Sequence, residues 1–211
     1  MINRWLENVK ENLISLSKEK IDVRKSLSEW FYYDNTHDLE EPCEDCELCG
    51  HQGIRFQFEI QNIETKHTLL IGSECIKRFL IRAVDSEGKV LDEVGTRKKV
   101  DKDRRTLISD AKTKRVIRNL IELSQKDTNF NDIDRSIEYF NDRGAFPPKY
   151  LSFLLWRLGK NNIKFNKSDF KMVIRRNREK NQLLYEMEDW QIKNIWSVMS
   201  ASQKEWYEYH S

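Results

Sequence analysis

The sequence predicts an α+β protein in which a small domain, with a β-hairpin and a helix, precedes a mainly α-helical domain. Two observations support this fold class. The chain contains only seven glycines and three prolines in 211 residues, about 5% of the sequence against a usual ~12%. So few glycines and prolines are typical of long helices rather than of turn-rich β-sandwiches. Its four cysteines all lie between positions 43 and 75, next to two segments with strand-like patterns.

The order of these patterns divides the chain into four parts. Residues 1–19 are predicted to form an amphipathic helix, because apolar side chains recur there at helical spacing. These side chains are Ile2, Trp5, Leu6, Val9, Leu13 and Leu16. Residues 20–84 form the cysteine-containing domain, in which the aromatic segment 27–34 is an additional strand. Residues 85–97 are a polar linker, and residues 98–211 form the helical domain, with a basic surface.

Cys46 and Cys49 are separated by two residues and followed by Gly50, a spacing that lets two thiolates bind one ion while the glycine relaxes the turn. Segments 54–60 and 68–71 then have the patterns of a hairpin. Ser73 is expected to cap a helix that carries Cys75 in its first turn. A cysteine pair, a hairpin and a ligand at a helix start are the order of a treble-clef zinc site.

A tetrahedral zinc ion needs four ligands. Cys46, Cys49 and Cys75 supply three, and the sequence offers several candidates for the fourth. Cys43 is preferred because an all-thiolate site uses every cysteine, while His51 is the alternative and His67 a weaker one. Cysteines at 43, 46 and 49 with a remote fourth also suit an iron–sulfur cluster. The glycine after Cys49 favours a single small ion, so we predict one structural Zn²⁺ and no disulfides, in a cytoplasmic protein.

No catalytic motif accompanies the cysteines, so we predict that the chain is not an enzyme. A zinc deaminase signature fails because His37 lacks the following glutamate. A treble-clef nuclease would use residues such as His51, Asn62 and His67, but no supporting motif surrounds them. No apolar run approaches the ~18 residues of a membrane span.

Charges of opposite sign are separated along the chain, although the net charge is only +2. Residues 34–47 carry seven acidic and no basic side chains, whereas residues 97–118 carry ten basic and three acidic ones, and residues 164–180 seven and two. Basic segments attract phosphates, so these two segments are predicted to contact nucleic acid. The alternative is that they are only the solvated faces of helices. The predicted contacts are Arg97, Lys98, Lys99, Arg104, Arg105, Lys114, Arg115, Arg118, Arg175 and Arg176.

Three further expectations concern the helical domain. One helix is expected to begin at Pro147–Pro148 and to end at Gly159. Segment 165–177 is compatible with either a strand or a helix. The last helix is expected to begin with a capping box formed by Ser202 and Glu205.

Segments 46–51, 54–56 and 71–79 resemble small treble-clef-like zinc-binding proteins of bacteriophages and bacterial mobile elements, most of which have no assigned function. The resemblance covers about residues 27–83, and the C-terminal segments 187–190 and 202–204 also resemble the tails of such proteins. It implies a zinc site at Cys46, Cys49 and Cys75 and a phage or prophage origin. Because a histidine often follows the Cys-Gly pair in that family, the resemblance keeps His51 as an alternative ligand.

Two hypotheses for the function follow. The leading one is a non-enzymatic, zinc-stabilised nucleic-acid-binding accessory protein that contacts phosphates through the helix containing residues 97–118. The alternative is a phage-encoded protein-interaction factor, an inhibitor or adaptor of a host or defence protein. This factor would use the acidic segment 34–47 or the tryptophan-rich C-terminal helices.

Overall fold

The computed structural model describes residues 4–211, with side chains from Glu7 onward, so the predicted apolar positions Ile2, Trp5 and Leu6 lie outside the described side chains. The chain forms two compact units, one up to Ala111 and one from Lys112 to Ser211. They are called the first and second unit below.

The first unit combines a four-stranded sheet with short helices. The strand order is β3-β2-β1-β4, with β2 antiparallel to both of its neighbours and β4 parallel to β1. The elements are α1 (Arg4–Leu16), α2 (Val23–Ser28), β1 (Trp30–Asp38), β2 (Phe56–Asn62), β3 (Thr68–Ile71), α3 (Ser73–Arg78), β4 (Arg82–Ala83) and the first part of α4 (Glu93–Lys126).

The hairpin of β2 and β3 forms where the alternating pattern predicts it. Phe58 and Ile60 are fully buried, and Phe58 lies opposite Ile71 in the register. The Asn62 side chain accepts hydrogen bonds from the backbone N–H groups of Glu64 and Thr65, which closes the turn. The sequence therefore predicts this hairpin correctly.

Strand β1 joins β2 as predicted, but it continues to Asp38, four residues beyond the predicted end. The register shifts between Tyr32 and Thr36, and Asp34 has a positive φ of 75° within this irregularity. Pairing then resumes along a polar stretch that looks like a loop in the sequence. Because this bulge interrupts the alternating pattern, the sequence does not predict the second half of the strand.

The core of the first unit lies between the sheet and helices α1, α3 and α4. Val9 and Leu13 of α1 and Val100 of α4 are fully buried in it. Buried Trp30 donates its indole N–H to Ser17 Oγ at 2.8 Å. The amphipathic character predicted for the N-terminal helix is confirmed at the apolar positions that the structure describes.

The second unit is built from helices around an aromatic core that includes Phe146. It contains a 3₁₀ turn at Lys167–Asp169, a π-helical turn at Gln182–Glu186 and a parallel bridge between Phe146 and Met172. Its helices are the rest of α4, α5 (Ile133–Arg143), α6 (Pro148–Lys160), α7 (Asn177–Asn181), α8 (Asp189–Ile195) and α9 (Ala201–His210).

The predicted linker differs most from the structure. Helix α4 begins at Glu93, inside segment 85–97, because the Asp92 carboxylate accepts the N–H of Gly95 and caps it. Residues 98–111, predicted to belong to the helical domain, lie in the first unit. Residues 93–97 of the predicted linker therefore belong to a continuous helix that extends to Lys126.

Smaller corrections concern helix ends. Gly72 rather than Ser73 is the N-terminal cap of α3, and the capping box of α9 is formed by Ser200 and Gln203. Helix α6 begins at Pro148 as predicted but continues through Gly159 to Lys160. Segment 165–177 is neither a continuous strand nor a helix, since it contains the 3₁₀ turn and the bridge at Met172. Within residues 4–211, no helix combines the length and apolar character needed to cross a membrane.

Candidate metal centre and basic residues

Cys46 and Cys49 lie in a tight turn that precedes β2. The N–H of Cys46 donates to the carbonyl of His51 at 2.9 Å, and the N–H of Gly50 donates to the carbonyl of Cys46 at 2.8 Å. Gly50 has a φ of +69°, the left-handed region that glycine adopts without strain. This turn places both thiols on the same side of the loop.

Helix α3 supplies the third thiol, since Cys75 lies in its first turn, directly after β3. The Cys75 sulfur lies 3.6 Å from that of Cys46 and 3.3 Å from that of Cys49. All three residues are buried and none is in a disulfide. A tetrahedral ion with Zn–S bonds of ~2.3 Å would separate two sulfurs by about 3.8 Å. The cluster is thus already close to the geometry that one metal ion requires.

The protein environment of this cluster favours an anionic sulfur. The neighbouring Cys75 thiol lowers the pKa of Cys46 well below its ordinary value, against the opposing effect of burial. Backbone N–H groups of Cys49, Gly72 and Leu48 act in the same direction. The pKa of Cys75 is raised by its contact with Cys46 and by burial. Metal binding needs thiolates, and these N–H groups stabilise the charge of one of them.

Helix α1 supports the cysteine turn from outside. Asn8 Nδ2 donates to the carbonyl of Cys49 at 3.4 Å, and Asn12 Nδ2 donates to that of Leu48 at 3.3 Å. Sequence reasoning missed both residues. In the sequence they are two asparagines four positions apart on a helix whose other face is apolar. This spacing indicates that both side chains bind the same polar segment, but it does not identify that segment.

A cavity of about 440 Å³ adjoins the three thiols and includes His51 in its lining. Cys43, the preferred fourth ligand, is exposed, and the cluster of close potential ligands found among the described residues consists of Cys46, Cys49 and Cys75. The structure therefore brings together three of the four predicted ligands. Three thiols beside a cavity with an imidazole in its wall fit a tetrahedral metal ion, with room for a fourth ligand.

Several predicted nucleic-acid contacts instead make ion pairs within the protein. Arg115 binds the carboxylate of Asp169 through Nε and Nη2, both at 2.7 Å. Lys99 contacts Asp34 and lies 3.6 Å from Asp103, and only 16% of its side chain is exposed. These two cations stabilise the fold, which leaves them poorly placed to contact phosphates.

The other predicted contacts differ in their surroundings. Arg97 pairs with Glu93 at 2.9 Å, and Arg104 lines the cavity beside the cysteines. Arg175 and Arg176 are exposed in the second unit and border the cavities described below. The exposed residues also include Lys98, Arg105, Lys114 and Arg118.

One basic row remains on the outward face of α4 in the first unit. Lys98, Lys102 and Arg105 follow one another at intervals of four and three residues, and all three are exposed, so they share a face of the helix. Val100, on the opposite face, is fully buried, with Leu107 packed against the same core. Arg105 Nε donates to the carbonyl of Asp101 at 3.0 Å. The row is a solvent-facing cationic surface.

Comparison of the chain with protein-family models, with curated proteins and with solved structures finds no match. The functional interpretation therefore depends on the residues of this chain.

Proposed function

We propose that one Zn²⁺ ion, bound by Cys46, Cys49, Cys75 and His51, organises the first unit. Thiolate and imidazole ligands suit zinc, and four protein ligands leave no open position for a substrate, which is typical of a structural site. The ion would join the cysteine turn to the start of α3, two segments that are otherwise linked through the hairpin. Its role is to hold the fold.

His51 is proposed as the fourth ligand in place of Cys43. Both residues are exposed and lie outside the three-cysteine cluster, but only His51 lines the cavity beside the thiols. The same observation argues against a four-iron cluster, which needs four cysteine thiolates spread around several metal atoms.

Cobalt substitution tests the ligand set. The protein reconstituted with Co²⁺ is expected to have the visible absorption of a tetrahedral ion bound by three thiolates and one nitrogen. His51→Ala should change the intensity and position of these bands, whereas His67→Ala, which alters the weaker candidate, should leave them unchanged. An unchanged spectrum in His51→Ala would refute this assignment.

We further propose that the protein is a non-enzymatic nucleic-acid-binding accessory protein, of phage or prophage origin on the resemblance described above. The observation that carries this proposal is the outward row of Lys98, Lys102 and Arg105 on α4. Such a row offers phosphates several cations at helical spacing, and binding through it depends on salt rather than on base sequence.

Charge reversal of this row tests the proposal. In a fluorescence-anisotropy titration with labelled DNA and RNA, the combined variant Lys98→Glu, Lys102→Glu, Arg105→Glu is expected to bind at least about tenfold more weakly. The slope of log affinity against log salt should fall by about 2 to 3.

A matched control carries the same change of net charge at three other exposed lysines of the first unit. This control is Lys10→Glu, Lys66→Glu, Lys89→Glu, and it should retain most of the affinity. Equal losses in both triple variants would show a general charge effect and refute the proposed surface.

The second candidate function is a protein-interaction factor, favoured by exposed tryptophans of the second unit. Trp156 on α6 and Trp190 on α8 are 42% and 47% exposed, a high exposure for tryptophan, which is strongly buried on average. Capture of a host protein that survives nuclease treatment and is lost in the double variant Trp156→Ala, Trp190→Ala would favour this function over nucleic-acid binding.

A further inference from the structure

The second unit contains a cavity of about 730 Å³ with three aromatic rings in its wall. Tyr139, Tyr150 and Phe153 supply these rings, and Tyr150 and Phe153 stack with centroids 6.1 Å apart and planes inclined by 30°. The volume lies within the range of roughly 300–1,000 Å³ that is usual for small-ligand sites. The cavity is therefore large enough for a planar group beside these rings.

The same cavity has an excess of positive charge. Four cationic side chains line it, against two carboxylates, which belong to Asp132 and Glu179. One of the four, Lys149, lies 3.7 Å from Glu186, so the remaining excess comes from the arginines. Glu179 already accepts the backbone N–H of Arg176 at 2.9 Å. The cationic residues are Arg135, Lys149, Arg176 and Arg178. A ligand that combines a planar face with negative charge matches this lining.

Gln182 is an independent indication of a ligand. It lines the cavity at the first position of the π-helical turn, an irregularity that is frequent at functional sites. Its Oε1 atom is buried and lacks a hydrogen-bond partner among the described residues. An unsatisfied buried acceptor is costly, so a ligand that donates an N–H to it would recover this cost.

A second basic depression continues from the cavity. It has a volume of about 460 Å³, shares Tyr139, Arg176 and Glu179 with the cavity, and adds Arg143, Lys171 and Arg175 to the lining. A cationic surface of this extent is larger than a single nucleotide needs, but it suits the successive phosphates of a nucleic-acid strand.

We propose that the second unit binds single-stranded nucleic acid, with one unpaired base in the aromatic cavity and the adjoining phosphates along the arginines. Because Tyr150 and the Arg157 guanidinium already contact the Phe153 ring, the base packs against the edges of the Tyr150 and Phe153 rings. It donates an N–H to Gln182. Since a paired base is stacked inside its duplex, only a single strand reaches this site. The inference rests on the proposed nucleic-acid-binding function and defines its substrate class.

Fluorescence anisotropy with labelled 12-nucleotide oligothymidine and oligouridine, and with a 12-base-pair mixed-sequence duplex, tests the inference. The single strands are expected to bind more tightly than the duplex. Phe153→Ala should weaken single-strand binding about tenfold, as expected for the loss of one aromatic contact to the base. Tyr209→Ala is the matched control, an exposed aromatic residue of the same unit but outside the cavity lining, and it should bind like the wild type.

Gln182→Met provides a second variant, because it keeps the length of the side chain and removes the unsatisfied acceptor. It should not lower the stability of the free protein, yet it should weaken single-strand binding severalfold. Unlabelled thymidine monophosphate should compete poorly, because it lacks the phosphate chain.

The outcomes separate this inference from the function it rests on. Wild-type protein that binds neither single strands nor duplex refutes both. Binding that is equal for single strands and duplex, with no loss in Phe153→Ala, refutes the inference and leaves nucleic-acid binding intact. Competition by thymidine monophosphate at the affinity of the oligonucleotide refutes the single strand as ligand.

Discussion

The ion pair of Arg115 and Asp169 stabilises the second unit because the Asp169 side chain is only 1% exposed. Removing Arg115 leaves the buried Asp169 carboxylate without this compensating charge. We expect Arg115→Ala to lower the free energy of unfolding by about 3 kcal/mol, measured by urea denaturation. Glu122→Ala, which breaks the exposed Lys126–Glu122 pair, should change it by less than ~0.5 kcal/mol. A similarly small effect of both substitutions would contradict the proposed contribution of the Arg115–Asp169 pair to stability.

Tyr32 links the stability of the first unit to alkaline pH. Its ring is fully buried, and burial together with the hydrogen bond that it donates to Asp103 at 2.8 Å raises its pKa well above the ordinary 10.0. The unfolded chain therefore loses this proton at lower pH than the folded protein. The stabilising contribution is complete below pH ~10 and decreases as the pH rises beyond it.

The pH dependence of unfolding measures this effect. Above pH ~10, the unfolding free energy of the wild type should decrease by up to about 1.4 kcal/mol per pH unit more than that of Tyr32→Phe. Tyr209→Phe, at a position that is 85% exposed, should retain the wild-type slope. An identical slope in Tyr32→Phe would rule out Tyr32 as the source.

At the level of single residues, the sequence predicts what depends on local spacing. The thiols of Cys46, Cys49 and Cys75 do come together, because a cysteine pair in a turn and a cysteine at a helix start are local patterns. The choice between Cys43 and His51 depends on how the loop before β2 is oriented, which their spacing does not reveal. The ion pair of Arg115 could not be predicted either, because its partner Asp169 lies 54 positions away in the sequence.

Among the elements, strands with regular alternation are predicted best and irregular ones least. The predicted β3 agrees with the observed Thr68–Ile71, because a turn precedes it and Gly72 separates it from the helix that follows. The short β4 at Arg82–Ala83 was not predicted, since two residues carry no periodicity. Helix α4 is longer than predicted because its cap, Asp92, lies within a polar stretch that resembles a linker.

Gly159 lies within helix α6, where it has no geometric need for glycine. A Cβ at this position would meet no atom within 4 Å, and the helix continues to Lys160. We expect Gly159→Ala to raise the melting temperature, with a gain of about 0.5–1 kcal/mol in unfolding free energy. A loss of stability would indicate that the glycine ends the helix in solution, as the sequence suggests.

Over the whole molecule, the near-zero net charge conceals charges that are used in two ways. Asp34 and Asp38 of the acidic segment bind Lys99 and Arg55, respectively, inside the first unit. The row of Lys98, Lys102 and Arg105 faces solvent instead. The sequence predicts where charge is concentrated, whereas the three-dimensional contacts decide which charges remain available to a partner.

One metal ion bound by Cys46, Cys49 and Cys75 is proposed to organise the first unit, and native mass spectrometry detects such an ion on the intact chain. We expect one zinc ion per wild-type chain, retained in Cys43→Ser and lost in Cys75→Ser. A folded wild-type chain without metal, or a zinc ion that Cys75→Ser retains and Cys43→Ser loses, would contradict it.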